Sequence, residues 1–233
     1  MSDQATILTR VREALREPAP PRHLHGHGAS HEKKQETAGF QAWMPPTGST
    51  WQEWFALFQR NAEALKAELV PYMDLADLQV KLQDQARREN WKKIATHRGC
   101  WSSQIIAALP IPHVITEGGY AVRDIESCDV GLTECDALVA QTGSVLVTNK
   151  SAGGRVLSVL PPHHVVLAQY DQLVPDLEAA FKVLRDLYSG NWPSFMSFIT
   201  GPSRTGDIER ILVLGAHGPK RLSIYCGQKP QKA

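Results

Sequence analysis

The sequence lacks a long hydrophobic run, a strong charge of either sign and closely spaced cysteines. No apolar stretch approaches the roughly 18–20 residues that a membrane-spanning helix needs, and the N-terminal segment has no continuous apolar core like that of a secretory signal. The formal net charge is +1 at pH 7, so the overall charge does not favour binding to nucleic acid. These absences predict a cytoplasmic protein with no nucleic-acid partner and no membrane span.

The four cysteines form no Cys-x-x-Cys pair: they are Cys100, Cys128, Cys135 and Cys226. We therefore expect no zinc ribbon and no intrinsic iron–sulfur cluster, and the sequence has no dinucleotide-binding glycine fingerprint. The simpler interpretation is four reduced, mostly buried thiols. A thiolate nucleophile at Cys135 is the alternative, but the neighbouring Glu134 and Asp136 would raise the pKa of that thiol.

The first fifty residues contain an amphipathic segment and a polar arm. Apolar residues recur at helical spacing in residues 4–16, and prolines begin at Pro18. Residues 18–50 are rich in Pro, Gly, His, Ser and Lys without apolar periodicity, which predicts a mobile arm. We predict no metal site in its histidines, because nothing there fixes ligand geometry. The predicted units are a helix with its arm at 1–50 and a folded domain at 51–233.

Helical and strand-like patterns alternate through the second unit. An apolar helical stripe extends from Trp51 to Leu69, and Asp74 is placed to cap the next helix. Further helices are predicted at 102–109 and 177–187, the latter with Pro175 in its first turn. Strands are predicted at 91–97, 113–116, 136–140, 144–148, 164–167, 211–214 and 222–226, with 155–160 extending the hairpin formed by the third and fourth. The order predicts an α/β fold with a mixed sheet flanked by helices.

The segment Gly201–Asp207 is the first candidate for binding an anion. Ser203 and Thr205 supply hydroxyl donors, and the planar guanidinium of Arg204 suits a carboxylate or a phosphate. If Asp207 begins a helical turn, free backbone N–H groups would point into the same loop. The alternative is a capped surface turn in which Arg204 pairs with a nearby carboxylate.

A second group of candidates lies in the preceding strands. Glu134 and Asp136 are two residues apart, so on one strand they would share a face and could perform acid–base chemistry. The alternative is that one accepts turn hydrogen bonds and the other is solvated. His217, in a glycine-rich turn, is a third catalytic candidate or a structural residue that binds the turn backbone. The remaining ligand-binding candidates are Thr142, Gly143, Ser144, Arg155 and His163.

Several of these pieces together resemble the lactate utilization protein C family, also called the LUD domain. The matching pieces are GLT at 131–133, DALVAQTGS at 136–144, GRVLSVLPPHH at 154–164, TGPSRTGDIE at 200–209 and GAHGP at 215–219. Each piece alone is weak, but their order and spacing are specific. The first half of the chain matches only in general pattern.

The resemblance implies a fold like that of the sugar-phosphate isomerase and coenzyme A transferase superfamily. It also implies a role in the oxidation of L-lactate to pyruvate, alongside other lactate-utilization subunits, one of which carries iron–sulfur clusters. The chain itself would then carry no redox cofactor. Our leading interpretation is that it binds a small carboxylate or phosphate, or a partner subunit, through the Ser203–Asp207 loop.

One position departs from the family pattern. The family has Glu-Thr-Gly-Thr where this chain has Gln141-Thr142-Gly143-Ser144. Gln141 keeps hydrogen bonding but cannot act as a carboxylate base. Three hypotheses remain open: a non-redox subunit of a lactate-oxidising complex, a stand-alone isomerase-like or acyl/CoA-transferase-like enzyme, and a ligand-free assembly or regulatory module.

Overall fold

A computed structural model describes residues 3–14, 45–208, 211–215 and 217–227 of the protein. The chain divides into two compact units, Met1–Met44 and Pro45–Ala233. In the first, helix α1 (Asp3–Ala14) matches the predicted amphipathic segment. Most of the predicted arm at 18–50 lies outside the described residues, so its mobility stays a prediction.

The second unit alternates helices and strands, which confirms the predicted α/β class. Its helices are α2 (Trp51–Ala64), α3 (Leu75–Glu89), α4 (Ser102–Ala108), α5 (Val122–Glu126) and α6 (Leu177–Tyr188). Its strands are β1 (Glu68–Tyr72), β2 (Ile94–Thr96), β3 (His113–Ile115), β4 (Val130–Glu134), β5 (Ala137–Val139), β6 (Ser144–Thr148), β7 (His163–Gln169), β8 (Leu173–Val174), β9 (Met196–Ile199), β10 (Arg204–Ile208), β11 (Ile211–Leu214) and β12 (Arg221–Gly227). Thr116–Gly118 and Tyr170–Gln172 are single 3₁₀ turns.

The strands divide into a parallel sheet and a smaller mixed sheet. The main sheet has six strands in the order β1-β12-β7-β4-β2-β3, and every neighbouring pair is parallel. The smaller sheet has the order β8-β5-β6-β9, with β5 antiparallel to β6 and parallel to β8. β10 and β11 pair as a separate antiparallel hairpin. All six strands of the main sheet therefore end at one common edge.

The main sheet is covered on both faces, which explains why β7 is buried along its whole length. Val165 and Leu167 of β7 pack on the side of α3 and α4. Val166 and Ala168, which alternate with them, pack on the side of α2 and the smaller sheet. The pleat of the strand thus places successive apolar residues in two different cores.

Local signals in the sequence set several helix boundaries as predicted. Asp74 caps α3, and its carboxylate accepts the Asp77 N–H at 2.9 Å. Thr50 and Glu53 form a reciprocal capping box at the start of α2. None of the helices in the described ranges is both long and apolar enough to cross a membrane.

Three predicted elements differ from the structure. The helix predicted through Leu69 ends at Ala64, because Lys66 adopts a left-handed conformation (φ 69°) and the chain turns into β1. Residues 149–162 form irregular turns rather than a strand extension, since Gly153 and Gly154 both have positive φ. Pro175 precedes the N-cap of α6 instead of lying in its first turn.

Candidate functional site

The carboxyl ends of β2 and β4 lie side by side, and the chain leaves them towards opposite faces of the sheet. After β2 the chain enters α4, which packs on the α3 face through Ile105 and Ile106. After β4 it enters the smaller sheet, whose Leu138 and Val145 pack on the other face. Open α/β sheets bind ligands at strand ends where the connections diverge in this way, and we call the space between these two strand ends the crevice.

Glu134, the last residue of β4, lies in this crevice. Its Oε1 accepts the backbone N–H groups of Trp101 and Ser102 at 2.7 and 3.0 Å. Ser102 Oγ is 3.1 Å from the same oxygen and 2.9 Å from the carbonyl oxygen of His97, so its single proton can serve only one of them at a time. A Cβ at Gly99 would lie 2.0 Å from Oε1, so only glycine leaves room for this carboxylate.

His97 follows β2 and is buried beside Glu134. Its Nε2 lies 3.3 Å from the Glu134 backbone nitrogen and accepts that N–H, so the ring proton of the neutral imidazole belongs on Nδ1. Nδ1 is 4.0 Å from Glu117 Oε1. Burial lowers the pKa of His97, while the carboxylates of Glu134 and Glu117 raise it. His97 is therefore held as a neutral hydrogen-bond donor.

Asp136 lies between the two sheets and belongs to a different polar group. Its carboxylate is buried, and it accepts hydrogen bonds of 2.5 Å from Tyr188 Oη and from Ser151 Oγ. Burial and the hydrogen bond to Asp136 raise the pKa of Tyr188 to about 12, so the phenol stays protonated and donates. A cavity of about 250 Å³, also lined by Gln169 and Gln172, opens beside this group.

The predicted carboxylate pair is therefore wrong in one respect. Glu134 ends β4 and Asp136 precedes β5, so the two do not share a face of one strand. The chain crosses from the main sheet to the smaller sheet at Cys135, between them. Their carboxylates bind different partners, and acid–base chemistry by the two together has no geometric support.

His163 lies at the opposite edge of the sheet, among the strand starts. Its Nε2 is 2.8 Å from Ser223 Oγ, and its Nδ1 lies 3.2 Å from Glu89 Oε2 without hydrogen-bond geometry. The Arg221 guanidinium binds both oxygens of Glu89, at 2.7 and 2.8 Å. Burial, followed by the Arg221 charge, lowers the pKa of His163. His163 is enclosed and lines none of the described cavities, and its ligand-binding role stays a prediction.

The Gln141-Thr142-Gly143-Ser144 segment docks helix α2 onto the smaller sheet. Asn61 Nδ2 of α2 donates to the carbonyl oxygens of Ala140 and Gln141, at 2.9 and 3.0 Å. Gly143 has φ 63°, and a Cβ there would lie 2.7 Å from the Ala62 nitrogen. Ser144 Oγ is hydrogen bonded to Thr200 Oγ1 at 2.8 Å, whereas the buried Thr142 Oγ1 has no partner among the described residues. These contacts give the segment a packing role between α2 and the smaller sheet, and its ligand-binding role stays a prediction.

The remaining candidates lie away from the crevice. Arg155 is exposed and donates to the Ser194 carbonyl oxygen at 2.9 Å, with its guanidinium 5.8 Å from the Phe195 ring centroid. Residues 204–208 form strand β10, so the helical turn predicted at Asp207 is wrong. The side chains of Thr205 and Asp207 lie outside the described part of the chain.

Ser203 and the turn that carries His217 are joined through the backbone. The Ser203 N–H donates to the Pro219 carbonyl oxygen at 2.8 Å, and the Gly215 N–H donates to the Ser203 carbonyl oxygen at 2.9 Å. Arg204 and His217 are exposed at this corner. The structure therefore brings Ser203 close to the turn that carries His217.

The thiols do not resemble ligands or nucleophiles. Cys128, Cys135 and Cys226 are buried, and only Cys100 is exposed. Burial raises the pKa of Cys135 well above the ordinary thiol value, with Asp136 as the next cause, and raises the pKa of Cys226 to about 12. Within the described ranges, no three His, Cys, Asp or Glu side chains converge as a metal site would require.

Comparison with known proteins identifies the family. The family model described as the LUD domain matches residues 49–225, which include both sheets and the crevice between β2 and β4. The chain belongs to the LUD domain family.

Relatives of this LUD domain match it over less than half of its length. It is 38% identical over 111 residues to the lactate utilization protein C of Halalkalibacterium halodurans, covering 46% of this chain and 47% of that protein. It is 36% identical over 104 residues to the protein of the same name from Anoxybacillus flavithermus, covering 45% and 46%. The chain spans about half the length of the curated relatives that it matches.

A solved structure has the same fold. The DUF162 family protein from Deinococcus radiodurans superposes with a TM-score of 0.60 over 77% of this chain and 99% of that one, at 17% identity. This similarity confirms the α/β architecture of the LUD domain.

Sequence reasoning missed the residues that surround Glu134 in the LUD domain. His97, Ser102 and Glu117 come from segments up to 37 residues away from Glu134 in the sequence. The only local signal was His97 at the end of a predicted strand, followed by the glycine at position 99. A strand-end histidine before such a turn is a candidate for the carboxyl edge of a parallel sheet.

Proposed function

We propose that this LUD domain protein is a non-redox subunit of a complex that oxidises L-lactate to pyruvate. The observation that carries the proposal is the similarity to proteins named lactate utilization protein C, at 38% and 36% identity. That similarity spans under half of each chain, so the role is inferred for the whole protein from a shared part.

The chemistry divides between subunits in this proposal. Oxidation of L-lactate to pyruvate releases two electrons and two protons, and the electrons pass to a partner subunit that carries iron–sulfur clusters. The LUD domain binds a small anion or holds the partner subunit in place. In support, three of its four thiols are buried with raised pKa values, and buried neutral thiols are poor cluster ligands.

A genetic experiment tests the proposed function. Deleting the coding gene in its host should abolish growth on L-lactate as the sole carbon source and leave growth on pyruvate unchanged. Restoring the wild-type gene should restore growth. Undiminished growth of the deletion strain on L-lactate would show that the protein is not needed for this oxidation.

The cofactor assignment has its own test. The purified chain should be colourless after anaerobic preparation, because the proposed complex keeps its clusters in another subunit. Visible absorbance that increases in proportion to protein concentration would contradict this assignment.

A stand-alone enzyme of the isomerase or acyl/CoA-transferase type is a second candidate, favoured by Glu134 and His97 lying together in the crevice. This enzyme would turn over substrate without any partner. Incubating the purified chain with sugar phosphates, and separately with acyl-coenzyme A and a carboxylate acceptor, tests it. Product formation that Glu134→Gln abolishes would favour this candidate over the subunit role, and no turnover would leave the subunit role.

A further inference from the structure

A cavity of about 300 Å³ lies between α4 and the carboxyl halves of β2 and β3. Ile106 and Ile115 supply apolar walls. The Thr96 hydroxyl is already bound to the Leu132 carbonyl oxygen, and the other polar residues that line the cavity are His97, Arg98, Ser103 and His113. The volume is at the low end of the range for ligand cavities, which suits a small molecule. The cavity adjoins the crevice between β2 and β4 through His97.

We propose that this cavity binds a small organic carboxylate, with Arg98 as its main charge partner. The choice of L-lactate and pyruvate as probes rests on the proposed function, whereas the carboxylate chemistry rests on the residues of the cavity itself.

Arg98 is suited to this role by what it leaves unpaired. Its backbone N–H donates to Glu117 Oε1 at 2.9 Å, but its guanidinium has no hydrogen bond or ion pair with any described residue. A guanidinium is a planar fork that can bind both oxygens of a carboxylate. Because the side chain is exposed, it can reach an entering ligand without disturbing the core.

Two histidine rings also line the same cavity. The ring proton of His97 is held on Nδ1, because Nε2 accepts the Glu134 N–H. His113 Nδ1 lies 3.4 Å from the Ile111 carbonyl oxygen, so in the tautomer that donates to this oxygen, Nε2 accepts a hydrogen bond and suits the hydroxyl of L-lactate. A carboxylate oxygen that the guanidinium does not bind can accept a hydrogen bond from His97 or from Ser103.

Glu117 sets the charge of the ligand. Its carboxylate lies 4.0 Å from His97 and is bound to the backbone of Arg98, so it stands beside the cavity. An anionic ligand is repelled by the Glu117 carboxylate, and this repulsion increases with the negative charge of the ligand. The cavity should therefore prefer a monoanionic carboxylate to inorganic phosphate, which is partly doubly charged at neutral pH.

A larger cavity of about 560 Å³ lies at the amino ends of β2 and β3 and provides the contrast. It also contains an arginine, but Arg87 NH1 is bound to Asp84 at 3.2 Å. Its Gln83 amide is likewise used, donating to the Ala108 carbonyl oxygen at 3.1 Å. Because its arginine is already paired, this cavity has fewer interactions available for a carboxylate ligand. Arg87 is therefore the matched control for Arg98.

The test is a titration of the full chain followed by nuclear magnetic resonance of the histidine ring protons. L-lactate and pyruvate should shift the signals of His97 and His113 saturably. Arg98→Ala should weaken binding by about tenfold or more, because a charge-assisted hydrogen bond is lost, and Arg98→Lys should recover only part of this. Arg87→Ala removes the same charge and should change the affinity by less than about twofold.

A steric pair checks the location independently of charge. Ala107 and Ala108 are neighbours on α4, but Ala107 lines the smaller cavity and Ala108 the larger one. Ala107→Met should block binding of the carboxylate, and Ala108→Met should leave it intact. Equal weakening by both variants, or by both arginine variants, would overturn the assignment.

The remaining outcomes also decide the matter. Shifts that never saturate with either carboxylate overturn the proposal, and so does tighter binding of inorganic phosphate than of both carboxylates. A failure here is distinct from a failure of the proposed function. If deletion abolishes growth on L-lactate but the cavity binds no carboxylate, the subunit role is supported and the proposed binding site is wrong.

Discussion

The two edges of the parallel sheet each carry a buried histidine beside a glutamate, yet their surroundings differ. At the amino edge, His163 lies among Glu89, Arg221 and Ser223, and the two charges bind each other directly. At the carboxyl edge, Glu134 is bound by backbone N–H groups and a hydroxyl, with no described cation paired to it. A cavity adjoins the second arrangement and none of the described cavities is lined by His163.

This difference indicates what each edge does. A closed network in which every charge has a partner stabilises the fold and offers nothing to a ligand. An edge whose carboxylate is held by the backbone, and whose nearby arginine is unpaired, has interactions left to form. Substitutions at the amino edge should therefore affect stability alone, and those at the carboxyl edge should affect stability and binding together.

Glu89→Ala should have the largest effect. The carboxylate accepts hydrogen bonds from Gln85, Trp91 and Arg221, and its removal leaves the half-exposed Arg221 with Glu68, 3.8 Å away, as its described ion-pair partner. We expect a loss of about 3 kcal/mol in the free energy of unfolding, measured by urea denaturation, because hydrogen bonds to a charged group are lost. Glu126→Ala, at an exposed position, should cost less than about 0.5 kcal/mol. A comparable cost for the two variants would break the distinction, as would altered carboxylate binding by folded Glu89→Ala.

Gly153→Ala should destabilise the carboxyl edge through a clash with His97. Gly153 has φ 59°, and a Cβ there would lie 2.0 Å from His97 Cβ. The matched control is Gly190→Ala, because Gly190 has φ 79° and open space around the added methyl. Backbone strain alone should cost the control about 1 kcal/mol, and displacement of His97 should bring the loss at Gly153 to about 2 kcal/mol. Thermal unfolding measures both, and equal losses would show that His97 moves freely.

The pH dependence of stability should report mainly on His164, which is buried inside the main sheet. Burial lowers the pKa of His164 to about 3, so the native state leaves it neutral where the unfolded chain takes up a proton. Stability should therefore fall as the pH drops from about 6.5 towards 3, by about 1.4 kcal/mol per pH unit for this residue. His164→Gln should reduce the slope by that amount. The slope that remains should come partly from His97 and His163, whose pKa values are also lowered. An unchanged slope in the variant would show that His164 does not titrate differently in the two states.

Ser102→Ala should have the smallest effect. The hydroxyl accepts the Gly99 N–H at 2.9 Å and stands between Glu134 and the His97 carbonyl oxygen. Its loss should cost about 1 kcal/mol by chemical denaturation. Ser103→Ala removes an exposed hydroxyl from the next position of α4 and should cost almost nothing in stability. If both variants unfold alike, the bonds of Ser102 do not stabilise the carboxyl edge.

Sequence reasoning succeeded where the cause was local. Asp74 at the start of α3 and the glycine turn between β5 and β6 depend on a few consecutive residues, and both were predicted. It failed at Leu69, whose spacing continues the apolar stripe of α2 although it packs in a strand. The helical period cannot mark a helix end when the next strand buries its residues in the same core.

The site shows the same division. Glu134 was chosen for its spacing from Asp136, and the structure places it at the carboxyl end of β4. Its supposed partner Asp136 belongs elsewhere, because the sheet changes between the two residues. Residue spacing does not predict where the chain passes from one sheet to the other. It also does not predict which segment the chain contacts there.

By itself, the sequence determined the α/β class, the caps and turns, the separation of thiols and the family, because each depends on residue type and short-range order. Only the tertiary structure decided that His97, Ser102 and Glu134 meet, that His163 is enclosed, and that the Arg98 guanidinium lies beside a cavity with no partner among the described residues. These relations depend on strand order in the parallel sheet. That order results from the simultaneous burial of both sheet faces, which no local pattern specifies.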